Sequence, residues 1–402
     1  MNPRVFITGY GVITAIGKDG PENLASLLDQ RCGFGKLDIL ETVHRDTLPA
    51  CEIKLHDHEL CNLAGVSDGA GFTRTALLGL IAVREAVRSS ALSPEDLRHA
   101  GMISATTTGG IREFERRFRD VQDLAKNVAF PAYLDTADPG EHTERLADVL
   151  GIRNYIGTIS TACSSSANAI LTGARLIRHG VFERVICGGT DALSRMTLNG
   201  FHSLLILDKD HCRPFDENRR GLNLGEGAAY LVLESEASLA RSGKNAVAEL
   251  RGYANLNEAF HQTAPSPEGT GALRAMREAL QRGGLTPEAV DYINAHGTGT
   301  ENNDLSEGTA LQSLFGERVP PFSSTKPYTG HVMAAAGSVE AVFCLMAIEN
   351  GLIFPNINFR EPMKELGIRP VTELKRGVSL THILSNSFGF GGGTASLLFS
   401  KC

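Results

Sequence analysis

The sequence predicts an α/β fold built from two similar halves. Both halves begin with a strand that runs into Gly-Tyr, at residues 4–11 and again at residues 248–255. Each half then continues with a short apolar strand, a turn with a reactive side chain, a helix rich in small residues and a glycine-rich hairpin. Alternating strands and helices predict mostly parallel sheets covered by helices. We expect the first half to span residues 1–243 and the second half to span residues 244–402.

The helices that follow the two reactive turns both begin with very small side chains. Residues 164–167 read Ser-Ser-Ser-Ala, and residues 334–337 read Ala-Ala-Ala-Gly. Because small side chains let helices and sheets approach closely, these two helices are expected to form a central layer between the halves. That layer would bring Cys163 of the first half close to His296 and His331 of the second half.

Cys163 lies in the turn Thr161-Ala162-Cys163-Ser164, between an apolar strand and a helix. At a helix N-terminus, unpaired N–H groups and the positive end of the helix dipole would favour a thiolate and lower the thiol pKa from about 8.5. A free cysteine is more often a small buried apolar residue. However, His296 and His331 also lie where strands end and loops or helices begin, which is typical of catalytic groups. The pattern therefore predicts a cysteine nucleophile with two imidazoles.

Composition narrows the classes of protein. The chain has 402 residues, 42% of them hydrophobic, and no stretch reads as a secretory signal or membrane span. A net charge of −7 argues against nucleic-acid binding and gives no membrane-binding patch. Eight scattered cysteines without a CxxC pair indicate a reducing cytoplasm. No convincing set of residues at metal-ligand spacing and no phosphate-binding loop are present, so we expect no metal and no nucleotide.

Four motifs in order along nearly the whole chain resemble one family, the elongating β-ketoacyl-[acyl-carrier-protein] synthases of the KAS I/II type. These enzymes are thiolase-like condensing enzymes, and the resemblance implies a five-layer αβαβα fold. The motifs are Thr-Ala-Cys at 161–163, Asn-Ala-His-Gly-Thr at 294–298, Ser-Ser-Thr-Lys with Thr-Gly-His at 323–331, and Asn-Ser-Phe-Gly-Phe-Gly-Gly at 386–392.

The resemblance implies a decarboxylative Claisen condensation in fatty-acid or polyketide chain elongation. Cys163 would carry the acyl group, His296 and His331 would stabilise the enolate formed from malonyl-carrier, and Lys326 would be the fourth catalytic residue. The backbone N–H groups of Cys163 and Phe390 would bind the second oxyanion. No external cofactor is implied, because acyl and malonyl groups arrive on the phosphopantetheine arm of an acyl carrier protein.

Further residues take roles by the same resemblance. Glu340 would pair with Lys326, and Phe390 would be a gate ring between glycines. The expected substrate-binding residues are Thr298, Thr300, Thr108 and Phe388. Thr298 and Thr300 would bond the pantetheine arm, although Thr300 also suits a tight turn. Thr108 occupies a place where the family commonly has an apolar residue against the acyl chain, so a polar, unsaturated or aromatic acyl group is a second hypothesis.

Several departures favour an alternative within the same chemistry. The runs at 163–166 and 296–300, and Gly393-Thr394, look more like polyketide ketosynthases than fatty-acid enzymes. The chain could thus be the ketosynthase of an aryl-polyene or type II polyketide pathway that works with a chain-length-factor partner. A homodimer is expected, with such a heterodimer as the alternative. A non-catalytic partner subunit is disfavoured because Cys163 is present, and a degradative thiolase because Asn386-Ser387-Phe388 lacks a second cysteine.

Overall fold

The computed structural model describes residues 3–68, 71–122 and 135–402, excluding the side chains of residues 119–122. Ten strands form one sheet, and two short strands form a separate pair. The strands are β1 (Val5–Thr14), β2 (Gly101–Ala105), β3 (Tyr155–Ile159), β4 (Arg184–Asp191), β5 (Gly227–Ser235), β6 (Ala248–Asn257), β7 (Tyr292–Asn294), β8 (Phe322–Ser323), β9 (Leu352–Ile353), β10 (Lys375–Arg376), β11 (His382–Gly389) and β12 (Gly393–Ser400).

Helices connect these strands and cover the sheet. The described α-helices are α1 (Gly20–Leu28), α2 (Asp57–Ala64), α3 (Arg74–Ser89), α4 (Pro94–Arg98), α5 (Ile111–Gln122), α6 (Glu141–Leu150), α7 (Ser165–Arg178), α8 (Arg195–Ser203), α9 (Glu236–Ser242), α10 (Thr270–Gly283), α11 (Glu301–Phe315), α12 (Lys326–Thr329) and α13 (Ala336–Asn350). Short 3-10 turns lie at Asp135–Ala137, Pro287–Ala289, Met333–Ala335 and Phe390–Gly392.

The strand order is the same in both halves. The first five strands follow the order β1-β5-β4-β2-β3, and the strands of the second half follow the equivalent order β6-β12-β11-β7-β8. The two sets join where Phe6 and Ile7 of β1 pair antiparallel with Glu249 and Ala248 of β6. The repeated order confirms the predicted duplication.

The prediction of mostly parallel sheets was wrong. The pairs β2–β3, β2–β4, β7–β8 and β7–β11 are parallel. The pairs β1–β5, β4–β5, β1–β6, β6–β12 and β11–β12 are antiparallel. The reason is that a helical crossover returns the chain parallel, whereas the glycine-rich hairpin segments that precede β5 and β12 return it antiparallel.

The layers follow from the alternation of side chains along the central strands. In β5, Ala229, Leu231 and Leu233 face one hydrophobic core, while Ala228, Tyr230 and Val232 face a second. The first core holds α7 and α13 between the halves. On the outer faces, α3 packs against β1 and β5, and α10 packs against β6 and β12. This arrangement confirms the αβαβα layers.

The central helices pack through small residues, as predicted. A Cβ atom added at Gly337 of α13 would lie 2.9 Å from the backbone nitrogen of Ala167 in α7. The Ser338 N–H donates to Ser166 Oγ across the same contact at 2.9 Å. The stretch Met333–Asn350 is long and apolar enough to span a membrane, contrary to our expectation that no segment would be, but 89% of it is buried inside the protein. Its position between the two five-strand halves of the sheet accounts for its hydropathy.

Candidate active site

Cys163 lies where the sequence predicts, immediately before α7. Ala162 has a left-handed backbone with φ of 52°, which turns the chain sharply ahead of the cysteine. Serine hydroxyls hold this turn: Ser164 Oγ donates to the Thr161 carbonyl at 2.9 Å, and the Thr161 N–H donates to Ser165 Oγ at 2.8 Å. The small polar residues therefore fix the turn and also permit the close helix packing.

The expected low pKa of Cys163 was wrong. Burial raises the pKa of the thiol to about 12, although Lys326 and a hydrogen bond from the Phe390 N–H both lower it. Because the cysteine is only 7% exposed, loss of hydration outweighs the stabilisation of a thiolate by the helix N-terminus. The resting nucleophile is therefore a thiol.

His296 and His331 meet beside Cys163 although they come from different loops. Their ring centroids are 5.4 Å apart, and the rings are almost perpendicular at 84°. Phe388 packs against His296 with centroids 5.7 Å apart. A cavity of about 300 Å³ opens from this point, and its walls include Cys163, both histidines, Phe388 and Phe390. The structure thus brings together the three side chains that the sequence singled out.

Lys326 lies behind His296 rather than in the cavity wall. Its Nζ is 3.2 Å from His296 Nδ1, and it also donates to the His296 carbonyl and to the Glu340 carboxylate. A lysine donor at Nδ1 leaves the imidazole proton on Nε2. Burial, with Lys326 adding to it, holds the pKa of both His296 and His331 well below the usual range. Both imidazoles are therefore neutral near pH 7.

His331 is anchored by the first half of the chain. The backbone N–H of His331 donates to the Asn223 carbonyl at 2.8 Å, and the backbone carbonyl of His331 accepts the Gly225 N–H at 3.0 Å. Among the described residues, no group bonds His331 Nδ1. The imidazole therefore keeps one ring nitrogen available for a proton.

The residues predicted to bind the substrate divide into two groups. Thr298, Thr300 and Phe388 line the cavity. The hydroxyls of Thr298 and Thr300 bond each other at 2.9 Å, and the Thr298 N–H donates to Asp304 at 3.0 Å, so the pair also forms a tight turn. Thr108 is absent from the described cavity wall, because its hydroxyl donates to Asp191 at 2.8 Å. The geometry gives no support to substrate contact by Thr108.

Glu307 of α11 is a site residue that sequence reasoning missed. Its carboxylate accepts the N–H groups of His296 and Gly297, both at 2.9 Å, and the side-chain amide of Asn386 at 3.0 Å. Burial raises the pKa of this carboxyl to about 7, although the same hydrogen bonds act to lower it. The only sequence signal was an acidic residue 11 positions after His296, in the helix that follows the histidine motif. Among the described residues, no group of three or more His, Cys, Asp or Glu side chains could hold a metal ion.

Comparisons with known proteins agree with this architecture. The N-terminal domain of the β-ketoacyl synthase family matches residues 2–238, and the C-terminal domain of the same family matches residues 247–360. These matches and the layered fold define a thiolase-like condensing enzyme of the acyltransferase class. The chain belongs to the β-ketoacyl synthase family.

Individual relatives extend over the whole chain. The chain is 33% identical to 3-oxoacyl-[acyl-carrier-protein] synthase 2 of Staphylococcus aureus, over 100% of this chain and 99% of that protein. The synthase of the same name from Synechocystis sp. is also 33% identical, over 99% of this chain and 98% of that one.

Two solved structures share the fold closely. The ishigamide ketosynthase/chain length factor has a TM-score of 0.94 and 31% identity, with 100% of both chains covered. The ketosynthase ApeO in complex with its chain length factor ApeC, from Xenorhabdus doucetiae, has a TM-score of 0.86 and 30% identity, covering 100% of this chain and 98% of that one.

Proposed function

We propose that Cys163, His296, His331 and Lys326 carry out a decarboxylative Claisen condensation between an acyl group and malonyl-carrier protein. The observation that carries this proposal is that Cys163 and both imidazoles face one cavity, with Lys326 bonded to the far side of His296. Acyl and malonyl groups would arrive on the phosphopantetheine arm of an acyl carrier protein. The threonine pair at 298 and 300 in the cavity wall supports binding of that amide-rich arm.

The first half-reaction transfers the acyl group to the enzyme. Cys163 Sγ attacks the carrier thioester, the bond from carbonyl carbon to pantetheine sulfur breaks, and acyl-cysteine forms. Since the resting residue is a thiol, its proton must leave as the bond forms. A neutral imidazole in the same cavity can accept this proton and return it to the departing pantetheine thiolate.

The second half-reaction forms the new carbon–carbon bond. Loss of carbon dioxide from malonyl-carrier leaves an enolate, whose oxygen accepts hydrogen bonds from N–H groups of His296 and His331. The enolate carbon attacks the acyl carbonyl, the bond from that carbon to the Cys163 sulfur breaks, and the β-ketoacyl product remains on the carrier. The released Cys163 thiolate takes a proton from solvent, which restores the resting thiol. This order requires no redox cofactor and no metal.

The tetrahedral intermediates need a second set of donors close to Cys163. The Phe390 N–H already bonds the cysteine sulfur. A Cβ added at Gly389 would lie 3.1 Å from the Cys163 nitrogen, so glycine there keeps the hairpin close to the backbone of the nucleophile. The Phe390 and Cys163 N–H groups are therefore the proposed oxyanion donors.

Intact-mass spectrometry tests the proposal. The protein is incubated with medium-chain acyl, aryl-enoyl and malonyl carrier proteins, beside Cys163→Ala and the matched control Cys61→Ala, which removes another buried cysteine in α2. We expect an acyl increment on the wild type and on Cys61→Ala, and none on Cys163→Ala. An equal increment on Cys163→Ala would overturn the assignment of the nucleophile, and no increment with any donor would overturn the proposal that the chain acts without a partner subunit.

A second candidate is a ketosynthase that pairs with a chain-length-factor subunit. The two solved relatives described as such assemblies favour it. Strand β3 ends the ten-stranded sheet and leaves Tyr155 and Ile156 39% and 37% exposed, which suits pairing with a second subunit. Light scattering separates the cases: a particle of twice the chain mass that loads acyl groups supports a homodimer, and a monomer that loads only with such a partner supports the heterodimer.

We also place the enzyme in the cytoplasm. All eight cysteines are free, which suits a reducing compartment. Alkylation mapping of protein taken directly from cells tests this assignment, and a disulfide under those conditions would contradict it.

A further inference from the structure

Asp191 is a buried charged residue that the proposed chemistry does not use. It ends β4, and its side chain is fully buried. Burying a carboxylate is costly unless hydrogen bonds replace its hydration. The donors around Asp191 therefore show what this residue holds in place.

One group of donors comes from the turn that follows β2. Oδ1 accepts the hydroxyls of Thr106 and Thr108 at 2.6 and 2.8 Å, and the N–H groups of Thr107 and Thr108 at 3.1 and 3.2 Å. Oδ2 accepts the Thr107 hydroxyl at 2.6 Å. The three consecutive threonines thus close around one carboxylate.

The remaining donor comes from the second half of the chain. The Ala334 N–H donates to Asp191 Oδ2 at 2.8 Å, three residues after His331. Between them, Met333 has a left-handed backbone with φ of 49°, so this short segment bends sharply before α13. The His331 backbone is bonded to residues 223 and 225 on one side, and Asp191 holds the other side.

We propose that Asp191 is a positioning residue that fixes His331 over Cys163 by clamping Ala334 to the threonine turn. The inference rests on the proposed roles of Cys163 and His331. It also assigns the three threonines to the support of the site rather than to the acyl chain. The clamp joins the two halves at a point where each supplies one reactive group.

The isosteric change Asp191→Asn releases one contact selectively. With its oxygen toward the N–H groups of Thr107 and Thr108, asparagine turns its NH₂ toward the Ala334 N–H. Two donors cannot bond each other, so Ala334 loses its partner while the backbone of the turn keeps its own. Decarboxylation of malonyl-carrier on the acylated enzyme should therefore fall about tenfold or more, because His331 is less well held.

The same substitution should change the thiol in the opposite direction. The charged groups that act on Cys163 are Lys326, which lowers its pKa, and Asp191 and Glu340, which raise it. Removing the negative charge of Asp191 should lower the pKa of Cys163 and increase its rate of iodoacetamide alkylation at pH 8 about threefold. General damage to the fold would not combine faster alkylation confined to Cys163 with slower decarboxylation.

Three variants complete the test. Thr190→Val removes a buried hydroxyl of the same strand that donates to the Thr75 carbonyl and leaves every hydrogen bond of Asp191 in place, so both rates should stay within about twofold of wild type. Asp191→Glu keeps the charge but moves the oxygen atoms, so decarboxylation should fall while alkylation stays unchanged, which keeps the test decisive if Asp191→Asn fails to fold. Wild type and Cys163→Ala are run beside them to report acyl loading.

The outcomes separate the two proposals. If wild type loads no acyl group either alone or with a chain-length-factor partner, the proposed function fails. If wild type loads and decarboxylates normally, and Asp191→Asn folds and decarboxylates at the wild-type rate, the positioning role of Asp191 is wrong. Slower decarboxylation in Asp191→Asn and Asp191→Glu, with faster alkylation only in Asp191→Asn, supports it.

Discussion

The two halves of the chain use the same elements for different chemistry. In the first half, the turn before α7 carries a cysteine, and in the second half the turn before α13 carries a histidine. Each turn includes a left-handed non-glycine residue, Ala162 in one and Met333 in the other. Duplication therefore supplies two equivalent helix starts, and the side chain at each determines whether it serves as nucleophile or as proton and hydrogen-bond donor.

The glycine-rich hairpin of each half contacts the reactive turn of the other half. The hairpin of the first half bonds the His331 backbone through Asn223 and Gly225, and the hairpin of the second half bonds the Cys163 sulfur through Phe390. Each reactive group is thus completed by the opposite half. The comparison shows that the site is a property of the interface between the halves.

Both halves contain a buried ion pair, and these two pairs differ in what they contact. Arg74 binds Glu226 through Nη2 at 2.6 Å in the first half, and Lys326 binds Glu340 in the second. The first pair bonds backbone at Ile53 and Leu193, whereas the second bonds His296. The following predictions test this difference.

The largest expected effect comes from removing the cation of each pair. Lys326→Met and Arg74→Met should each reduce the free energy of unfolding by about 3–5 kcal/mol, because a buried carboxylate loses its nearest cation. Only Lys326→Met should also lower the condensation rate of the folded enzyme, by about 100-fold, since His296 loses its Nδ1 donor. Urea unfolding and a condensation assay measure both. An equal loss of rate in Arg74→Met would break the comparison.

A pH-dependent effect is expected from Glu307, which supports the His296 turn. Its pKa is raised from 4.5 to about 7 in the folded protein, so the native state keeps the proton longer than the unfolded state does. Its contribution to stability is present below pH 4.5 and is lost as the pH rises through about 7, a change of about 3 kcal/mol.

Urea unfolding between pH 4.5 and 8 checks this prediction by comparing wild type with Glu307→Gln. The buried histidines act in the opposite direction below pH 6.5, and because both proteins contain them, they cancel in the difference. A difference that does not vary with pH would show that Glu307 does not titrate in this range.

A smaller effect is expected where the central helices touch. Alanine usually stabilises a helix relative to glycine by up to about 1 kcal/mol. In Gly337→Ala the new Cβ would press on Ala167 and Ser387, so we expect a loss of about 1–3 kcal/mol instead. Gly200→Ala in α8 is the matched control, because nothing lies within 4 Å of its Cβ position. Calorimetry should show opposite signs, and a stabilised Gly337→Ala would contradict the tight contact.

The smallest expected effect concerns the ring of Phe390. It stacks on Phe201 with centroids 5.7 Å apart and covers the cavity beside Cys163, while its backbone N–H bonds the sulfur. Phe390→Ala removes the ring and keeps the N–H, so Cys163 alkylation should rise about threefold as access improves. Phe201→Ala should produce a weaker increase in the same peptide-mapping experiment. Slower alkylation in Phe390→Ala would argue against a covering role.

The sequence predicted the duplication, the central helices and the meeting of Cys163 with both histidines, because each depends on local patterns repeated along the chain. It did not predict the strand directions, which depend on how long hairpin segments return to the sheet. The thiol pKa was also wrong, since the helix N-terminus is visible in sequence and the extent of burial is not.

The supporting carboxylates show the same limit. Glu307 and Asp191 have no motif of their own, and their roles come from hydrogen bonds to residues 10 or more positions away, such as Gly297 and Ala334. Thr108 shows the opposite limit. The family pattern predicts that it contacts the substrate, but its hydroxyl donates to the Asp191 carboxylate, which is not part of that pattern.

The contacts between each reactive residue and the hairpin of the opposite half also have a consequence during synthesis of the chain. A ribosome completes the turn with Cys163 long before it reaches His296, His331 and Phe390. A nascent chain that ends in the first half therefore holds the thiol without either imidazole and without the Phe390 N–H. The order of synthesis therefore separates the nucleophile from both histidines and from the Phe390 N–H until the last strands have been added. An unfinished or truncated chain would carry a cysteine that lacks the groups needed for condensation.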